Sequence, residues 1–549
     1  MENFRRILIL ILGLTVFFSQ KSNPVFGHEE DGKIGNVNFE TTCQDNVKST
    51  FNTGVSWLYS FEFERSEETF WSVLEEDPNC GMAYWGIAMS IWHQLWAPPA
   101  NYSLEKGALA LAKAKELTTL SEREVAYLNA ISEYFLDYET KSHIERAQAY
   151  ADQMEALQTE FPEDQEARIF YALSLLASAD AKDSSFSNQL KSGAILESIL
   201  GDQPNHPGLA HYIIHSYDYP GLADNALQAA RRYAEIAPAS AHANHMPSHI
   251  FTRLGYWQES IDVNLKAAEA GQAFAKGAAL EGRWGEEIHA QAYLMYAYLQ
   301  GGQDEKARAV LDDIQSIISF SPNNFKVAYP LAAIPARFAL ERADWEAAAG
   351  LNIEPEWFPW SNFPPAEAVI HYARAIGAAH LNRPNAVIVE IKALQNLQSL
   401  LSEQEHGYWK AQLKVQIMAA KSLLAQLEGK EEEALDLMRQ AADIEDEVAK
   451  NPVTPGEVAP ARELLAFMLL DMGKFEDALL EFQKALVAAP NRFNSLYGAA
   501  KSALNLGKLD LAAGYLGQLV KQTDLSLGNR PRLNEAREMW VKLETQKPN

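Results

Sequence analysis

The chain has 549 residues, 47% hydrophobic and 22% charged, an ordinary globular composition that excludes general disorder. With 30 Gly and 24 Pro it is neither collagen-like nor of low complexity, and its length fits about three to four domains or one long repeat array. Lys+Arg 47 against Asp+Glu 73 leaves a net charge of −26, with no run of four Lys/Arg; such a surface repels phosphate, so neither nucleic acid nor an anionic membrane is an expected partner.

Residues 1–27 have the pattern of a secretory signal peptide. Arg5 and Arg6 precede an apolar run at 7–18, too short to cross a bilayer comfortably, and Val25-Phe26-Gly27 offers a cleavage place. An uncleaved anchor is the alternative. No later apolar stretch reaches 18 residues, so no membrane span is expected after the leader is removed. Cleavage would leave a periplasmic or secreted chain beginning with a short segment, 28–44. Export also puts Cys43 and Cys80 in an oxidising compartment. A disulfide between them would close a loop of roughly 38 residues and stabilise by about 3 kcal/mol; two buried thiols are the alternative.

Beyond residue 45 strand signals are nearly absent and Ala-rich helical periodicity runs almost throughout. A period organises it. Gly54, Ser66, Phe70 and Pro78 mark one unit, and Gly221, Ala226 and Pro238 another. Gly255 with Ser260, Gly302 with Ala307, Asp344 with Ala348 and Gly429 with Ala434 mark four more. The clearest unit, 460–490, has Gly473, Ala478, Phe482, Ala485 and Pro490; Gly507 and Ala512 each follow their counterparts by 34 residues. This resembles the tetratricopeptide repeat, a helix–turn–helix in which small residues sit at the helix crossing and Pro ends the second helix. Looser helical pairs lie at 81–118, 121–162, 164–204 and 367–405. The expected fold is all-α: a right-handed tetratricopeptide-repeat solenoid of helical hairpins with a concave groove. Residues 45–205 are read as N-terminal hairpins with an aromatic cluster, 206–320 as central repeats with a His-rich groove, and 321–545 as C-terminal repeats. The blocks MAYWGIAMSIWHQLWAPP, HPGLAHYIIHSYDYPGLADNALQAARRYA and HMPSHIFTRLGYW resemble a family of secreted bacterial tetratricopeptide proteins. That resemblance implies the fold and export and supplies no activity.

The aromatic cluster comes first along the chain. Trp85, Met89 and Trp92 are spaced i, i+4, i+7 on one helix face, with His93 and Trp96 beside them. Repeat phase points that face to the groove, where it could grip a peptide, glycan or apolar ligand. Packing of the first repeats is the favoured role, because terminal repeats need special capping.

Six of the 13 histidines fall within residues 206–249: His206, His211, His215, His242, His245 and His249. His211 and His215 are spaced i, i+4 and share a helix face; His245 and His249 repeat the pair 34 residues on. Repeat phase sends both pairs to the groove, with His242, Asp218 and His289 near them. Neutral imidazoles converging from adjacent helices could hold a transition metal: Zn, Cu, Fe or Ni. Asp218 could be a ligand or hold a histidine tautomer. Affinity is expected to fall as pH drops through about 6.5, where an unperturbed imidazole gains its proton. The same rings could instead bind a peptide or stack on Tyr212, Tyr217 or Tyr219. No His-Glu-x-x-His, phosphate-binding Gly loop or Gly-x-Ser-x-Gly is present. Glu75-Glu76-Asp77, Glu286-Glu287 and Glu431-Glu432-Glu433 are read as solvated helix ends. The expected function is an exported solenoid with a His-rich metal site, catalytic or metal-handling; the alternative is a metal-free scaffold binding proteins or peptides in the groove.

Overall fold

The computed structural model describes residues 33–95, 98–180, 183–448, 453–526 and 530–546. The leader expected at 1–27 and Trp96 lie outside these residues. The fold is an all-α, right-handed solenoid of tetratricopeptide-type hairpins, in which each helix packs on the next in chain order. Gly255, Gly302, Gly429, Gly473 and Gly507 each turn the chain between the two helices of a hairpin, at φ of 69°, 67°, 74°, 73° and 70°. Only glycine takes that left-handed conformation without strain.

Close helix approach depends on small residues facing aromatic rings. Phe70 lies against Gly54 and Gly86, and Phe482 against Gly498. A Cβ on Gly86 would meet the Phe70 ring at 2.3 Å, and one on Gly498 would meet Phe482 at 2.0 Å. Ala478 and Ala512 are fully buried at the equivalent crossings. Serines stitch successive hairpins together. Ser66 Oγ donates to the Gly54 carbonyl at 2.9 Å and accepts from Ser90 Oγ at 3.0 Å; Ser192 repeats both bonds, to the Ala172 carbonyl (2.8 Å) and with Ser216 (3.0 Å).

The solenoid coils tightly enough to fill its own concave side. Helix Lys48–Tyr59 contacts helix Pro207–Tyr217, where Gly208 admits the Tyr59 ring. Tyr233 Oη bonds Ser60 Oγ at 3.3 Å, and Ser240 Oγ donates to Glu62 at 2.7 Å. Farther on, Trp257 Nε1 donates to the Asn491 carbonyl at 3.0 Å, and Gln522 Nε2 to that of Gln300, also at 3.0 Å. Strand structure among the described residues is one short parallel pairing, of Arg283–Trp284 after the long helix Trp257–Gly277 with Phe320–Ser321 after helix Asp304–Gln315. No helix among the described residues is long and apolar enough to cross a membrane.

Cys43 and Cys80 are joined in a disulfide, with Cα atoms 4.6 Å apart. The bond pins the leading segment to the start of helix Gly81–Ile91. The groove-ligand reading is corrected for Trp85, Met89 and Trp92 by their burial, and the half-buried His93 is taken up by a ring contact. Trp85 is 1% exposed, Met89 and Trp92 fully buried, and His93 lies stacked on Phe63 at 4.2 Å. Trp85 packs on Phe39, Tyr127 and Phe170; Trp92 stacks on Tyr134 at 3.7 Å. These residues are core of the first repeats, and their helical spacing reflects hairpin packing.

Two outcomes are expected. Non-reducing peptide mapping of protein made in an oxidising compartment should recover one Cys43–Cys80 linked peptide, and reduction should lower the melting temperature by an amount corresponding to about 3 kcal/mol. Ala478→Leu and Ala512→Leu should each cost about 1–3 kcal/mol in denaturant unfolding by overpacking the crossing; neutral substitutions at both would show that the repeat phase is misassigned.

Candidate metal centre

Three successive repeats supply the histidines. Helix Pro207–Tyr217, started by a proline at its first position, carries His211 and His215 one turn apart. His242 and His245 lie on Ala241–His245, and His249 on Pro247–Leu254. Pro247 interrupts the hydrogen-bond ladder there, but Met246 stays right-handed helical at φ −53°, ψ −37°, so the one-turn spacing from His245 to His249 survives. His289 comes from helix Gly285–Gln300.

The expectation of an open groove is corrected. His211 is fully buried, His245, His249, His289 and His242 are 1–5% exposed, and only His215 of the six is half-buried. The turn of the first hairpin covers three of them. Phe61 lies 4.4 Å from the His211 ring, 5.4 Å from His215 and 5.8 Å from His242, centroid to centroid. It adopts φ +54°, the left-handed conformation that glycine takes at other hairpin turns, which a bulky side chain enters only under strain. Tyr233 stacks on His211 from another side, and Tyr293 packs on both His245 and His249.

Hydrogen bonds set the tautomers. His211 Nδ1 is 2.6 Å from the Tyr59 carbonyl and must donate to it. His249 Nδ1 donates to the Asp218 carboxylate at 2.9 Å, which Arg253 Nε holds from its other oxygen at 2.9 Å. His245 Nδ1 is 2.7 Å from Asn264 Oδ1; the Asn264 amide group donates to the Ser260 carbonyl at 2.7 Å, so its oxygen faces the histidine and Nδ1 is again the donor. A neutral imidazole carries one N–H. The Nε2 atoms of His211, His245 and His249 therefore present lone pairs inward. His245 Nε2 and His249 Nε2 are 3.1 Å apart, as are His211 Nε2 and His215 Nε2. Two metal–nitrogen bonds of about 2.0–2.1 Å span about 2.8–3.4 Å between nitrogens for octahedral to tetrahedral angles.

The acids divide by role. Asp218, bound to both His249 and Arg253, orients a ring. Glu286, read as solvated, is half-buried beside Lys326, its ion-pair partner, and its carboxylate lies 3.8 Å from His242 Nδ1. Burial opposes its charge, yet Lys326 and His242 hold its carboxyl below the usual range. Glu287, also read as solvated, is buried and paired with Arg283. Glu62, bonded by Ser240, is pushed up to about 7 by burial and then by Glu286. Sequence reading missed Glu62, Asn264, Tyr293 and Arg253, which are ordinary in their local sequence and reach the histidines through the fold. His206, the remaining histidine of the 206–249 run, sits apart, 3.3 Å from Glu166.

No protein-family model matches the chain, and no curated protein matches it in sequence. Solved structures that it is similar to include the human IFIT1 dimer with m7Gppp-AAAA, at 12% identity over 91% of this chain and 99% of that one, with a TM-score of 0.34. The P58(IPK) TPR domain is similar at 14% identity over 70% of this chain and all of that one, with a TM-score of 0.22.

Burial, and after it the neighbouring imidazoles or Lys326, hold His211, His245 and His289 well below the ordinary value of 6.5, and burial lowers His242 as well. The neutral rings thus persist below pH 6.5, and binding is expected to extend to lower pH than the sequence alone suggests. The unfolded chain still takes up protons near 6.5, so it binds more protons than the folded chain at lower pH. Stability is then lost as pH falls from 6.5 toward the folded values, at up to about 1.4 kcal/mol per pH unit for each such histidine. The metal-free protein should melt at progressively lower temperature between pH 7 and pH 5; a melting temperature flat across that range would mean that the rings are not buried neutral.

Proposed function

We propose that this chain is an exported, transition-metal-binding repeat protein whose buried histidines hold the metal for storage or delivery. The observation that carries the reading is the His245–His249 pair. Asn264 and Asp218 fix both Nδ1 atoms as donors, which leaves two Nε2 lone pairs facing each other at 3.1 Å in the core. Facing lone pairs repel, and the buried site screens them weakly, with Tyr293 Oη 3.4 Å from His249 Nε2 as the polar neighbour. A proton between them would relieve the repulsion, but burial and the neighbouring imidazoles disfavour that charge on His245, and on His249, beside Asp218, it would place a cation in the core. A metal ion bound by both nitrogens relieves it fully. The imidazole donors suit Zn, Cu, Fe or Ni. Because five of the six rings are at most 5% exposed, the burial supports holding an ion over turning over a substrate. The leader-like pattern at 1–27 and the Cys43–Cys80 bond support an oxidising, extracytoplasmic location.

The test is elemental analysis of untagged protein made with its native leader and purified without chelators. Zn, Cu, Fe or Ni should co-purify with the protein. Asp218→Asn removes the carboxylate that fixes the His249 tautomer, and should weaken metal affinity about 10–100-fold in competition with a chromophoric chelator. Protein that contains no metal, and takes none up after stripping, would leave the scaffold reading, a solenoid that binds protein or peptide partners, as the better one.

A further inference from the structure

We infer that the histidines form two separate metal sites, each with three histidine ligands, built twice by the repeat itself. This rests on the metal-binding reading above and adds the number, the membership and the order of filling.

The six rings fall into two groups. His211, His215 and His242 offer ligand nitrogens all within 4.8 Å of one another, and so do His245, His249 and His289. Within the groups, ring centroids lie 4.8 Å apart for His211–His215, 5.1 Å for His211–His242, 5.0 Å for His245–His249 and 4.4 Å for His245–His289. Between the groups, the separations are 6.5 Å for His215–His249 and 6.4 Å for His242–His245. Two imidazoles bound to one tetrahedral ion at about 2.0–2.1 Å place their centroids about 5 Å apart. These four distances inside the groups meet that requirement, and the two across the boundary exceed it.

Both groups follow one construction rule. A repeat supplies a pair one helical turn apart with its Nε2 atoms at 3.1 Å, and the first helix of the next repeat supplies the third histidine. His211 and His215 take His242 from the repeat that follows; that repeat's own pair, His245 and His249, takes His289 from the one after. An ion in one group leaves the nitrogen pair of the other unfilled, at the same 3.1 Å spacing that two bonds to a single ion span. His289 Nδ1 is buried without a hydrogen-bond partner among the described residues, a cost that ligation would remove.

The two sites differ in rigidity. In the His245 group, Asn264 and Asp218 brace two rings, and all three histidines are buried. The His211 group contains the half-buried His215, which gives it an edge toward solvent. It also has two acids nearby, one half-buried and one buried. Glu286 lies 3.8 Å from the His242 ring, and Glu62 reaches the His242 backbone amide at 3.5 Å. Glu62 has no cation within salt-bridge distance among the described residues, and a divalent ion in this group would favour its carboxylate form. The braced His245 group fills first and holds its ion; the His211 group fills second and exchanges.

Cobalt(II) or zinc titration of the metal-stripped, untagged full chain tests this by calorimetry, with cobalt absorption to count nitrogen-bound ions. Two equivalents should bind in two steps. His289→Gln should remove the tighter step and keep one equivalent; His242→Gln should remove the weaker step and leave the first unchanged. A wild-type stoichiometry of one overturns the two-site assignment while sparing the metal-binding reading, and that count needs no variant to fold. Loss of all binding in either single variant, with circular dichroism unchanged, overturns it too, because it would mean one composite site. Absence of binding by the wild type overturns both readings.

Discussion

The spacing between helices in this solenoid is set wherever a small residue faces an aromatic ring across a crossing. Gly86 against Phe70, Gly193 against Tyr217, Gly208 against Tyr59 and Gly498 against Phe482 all leave no room for a Cβ. Each contact lets two backbones approach until serine hydroxyls can bridge them, as Ser66 and Ser192 do. Because that geometry recurs along the chain, a side chain placed at one phase of a repeat reappears at the same phase in the next. The two histidine pairs are a direct product of this translation. The Gly208–Tyr59 contact adds a second consequence: it seals the first hairpin onto the first histidine-bearing helix, so the Tyr59 carbonyl reaches His211 and Phe61 covers the rings.

Buried histidines in this number are an unusual use of a core. Apolar side chains of similar volume would pack there without polar atoms to satisfy, and each ring nitrogen taken from water needs a partner. The chain supplies such partners with economy: a main-chain carbonyl for His211, an amide oxygen for His245, a carboxylate for His249. All three act on Nδ1, on the outer side of the ring. The inward nitrogens lie on the opposite side from these three partners, and the strained conformation of Phe61 lies over the same cluster. Polar groups organised outward around an inward set of lone pairs make an arrangement suited to a cation.

Much of this was legible in the chain of residues. The Gly, Ala, aromatic and Pro positions at a period of 34 specify the helical hairpins, since helix crossing and chain reversal depend on side-chain size and backbone freedom at single positions. The same period placed His211, His215, His245 and His249 in register, because equivalent positions in a stack face the same way. What the linear chain does not contain is curvature. The coil closes far enough to bring Phe61 and Glu62 against residues some 150 to 180 positions later, and this turns a presumed open groove into a filled interior. Burial, the tautomers, the role of Asp218 as a brace, the inclusion of Glu286 and the division of six rings into two triads were decided by that closure. They depend on sub-ångström summation of small rotations over many repeats, a property of the packed stack that no local run of residues encodes.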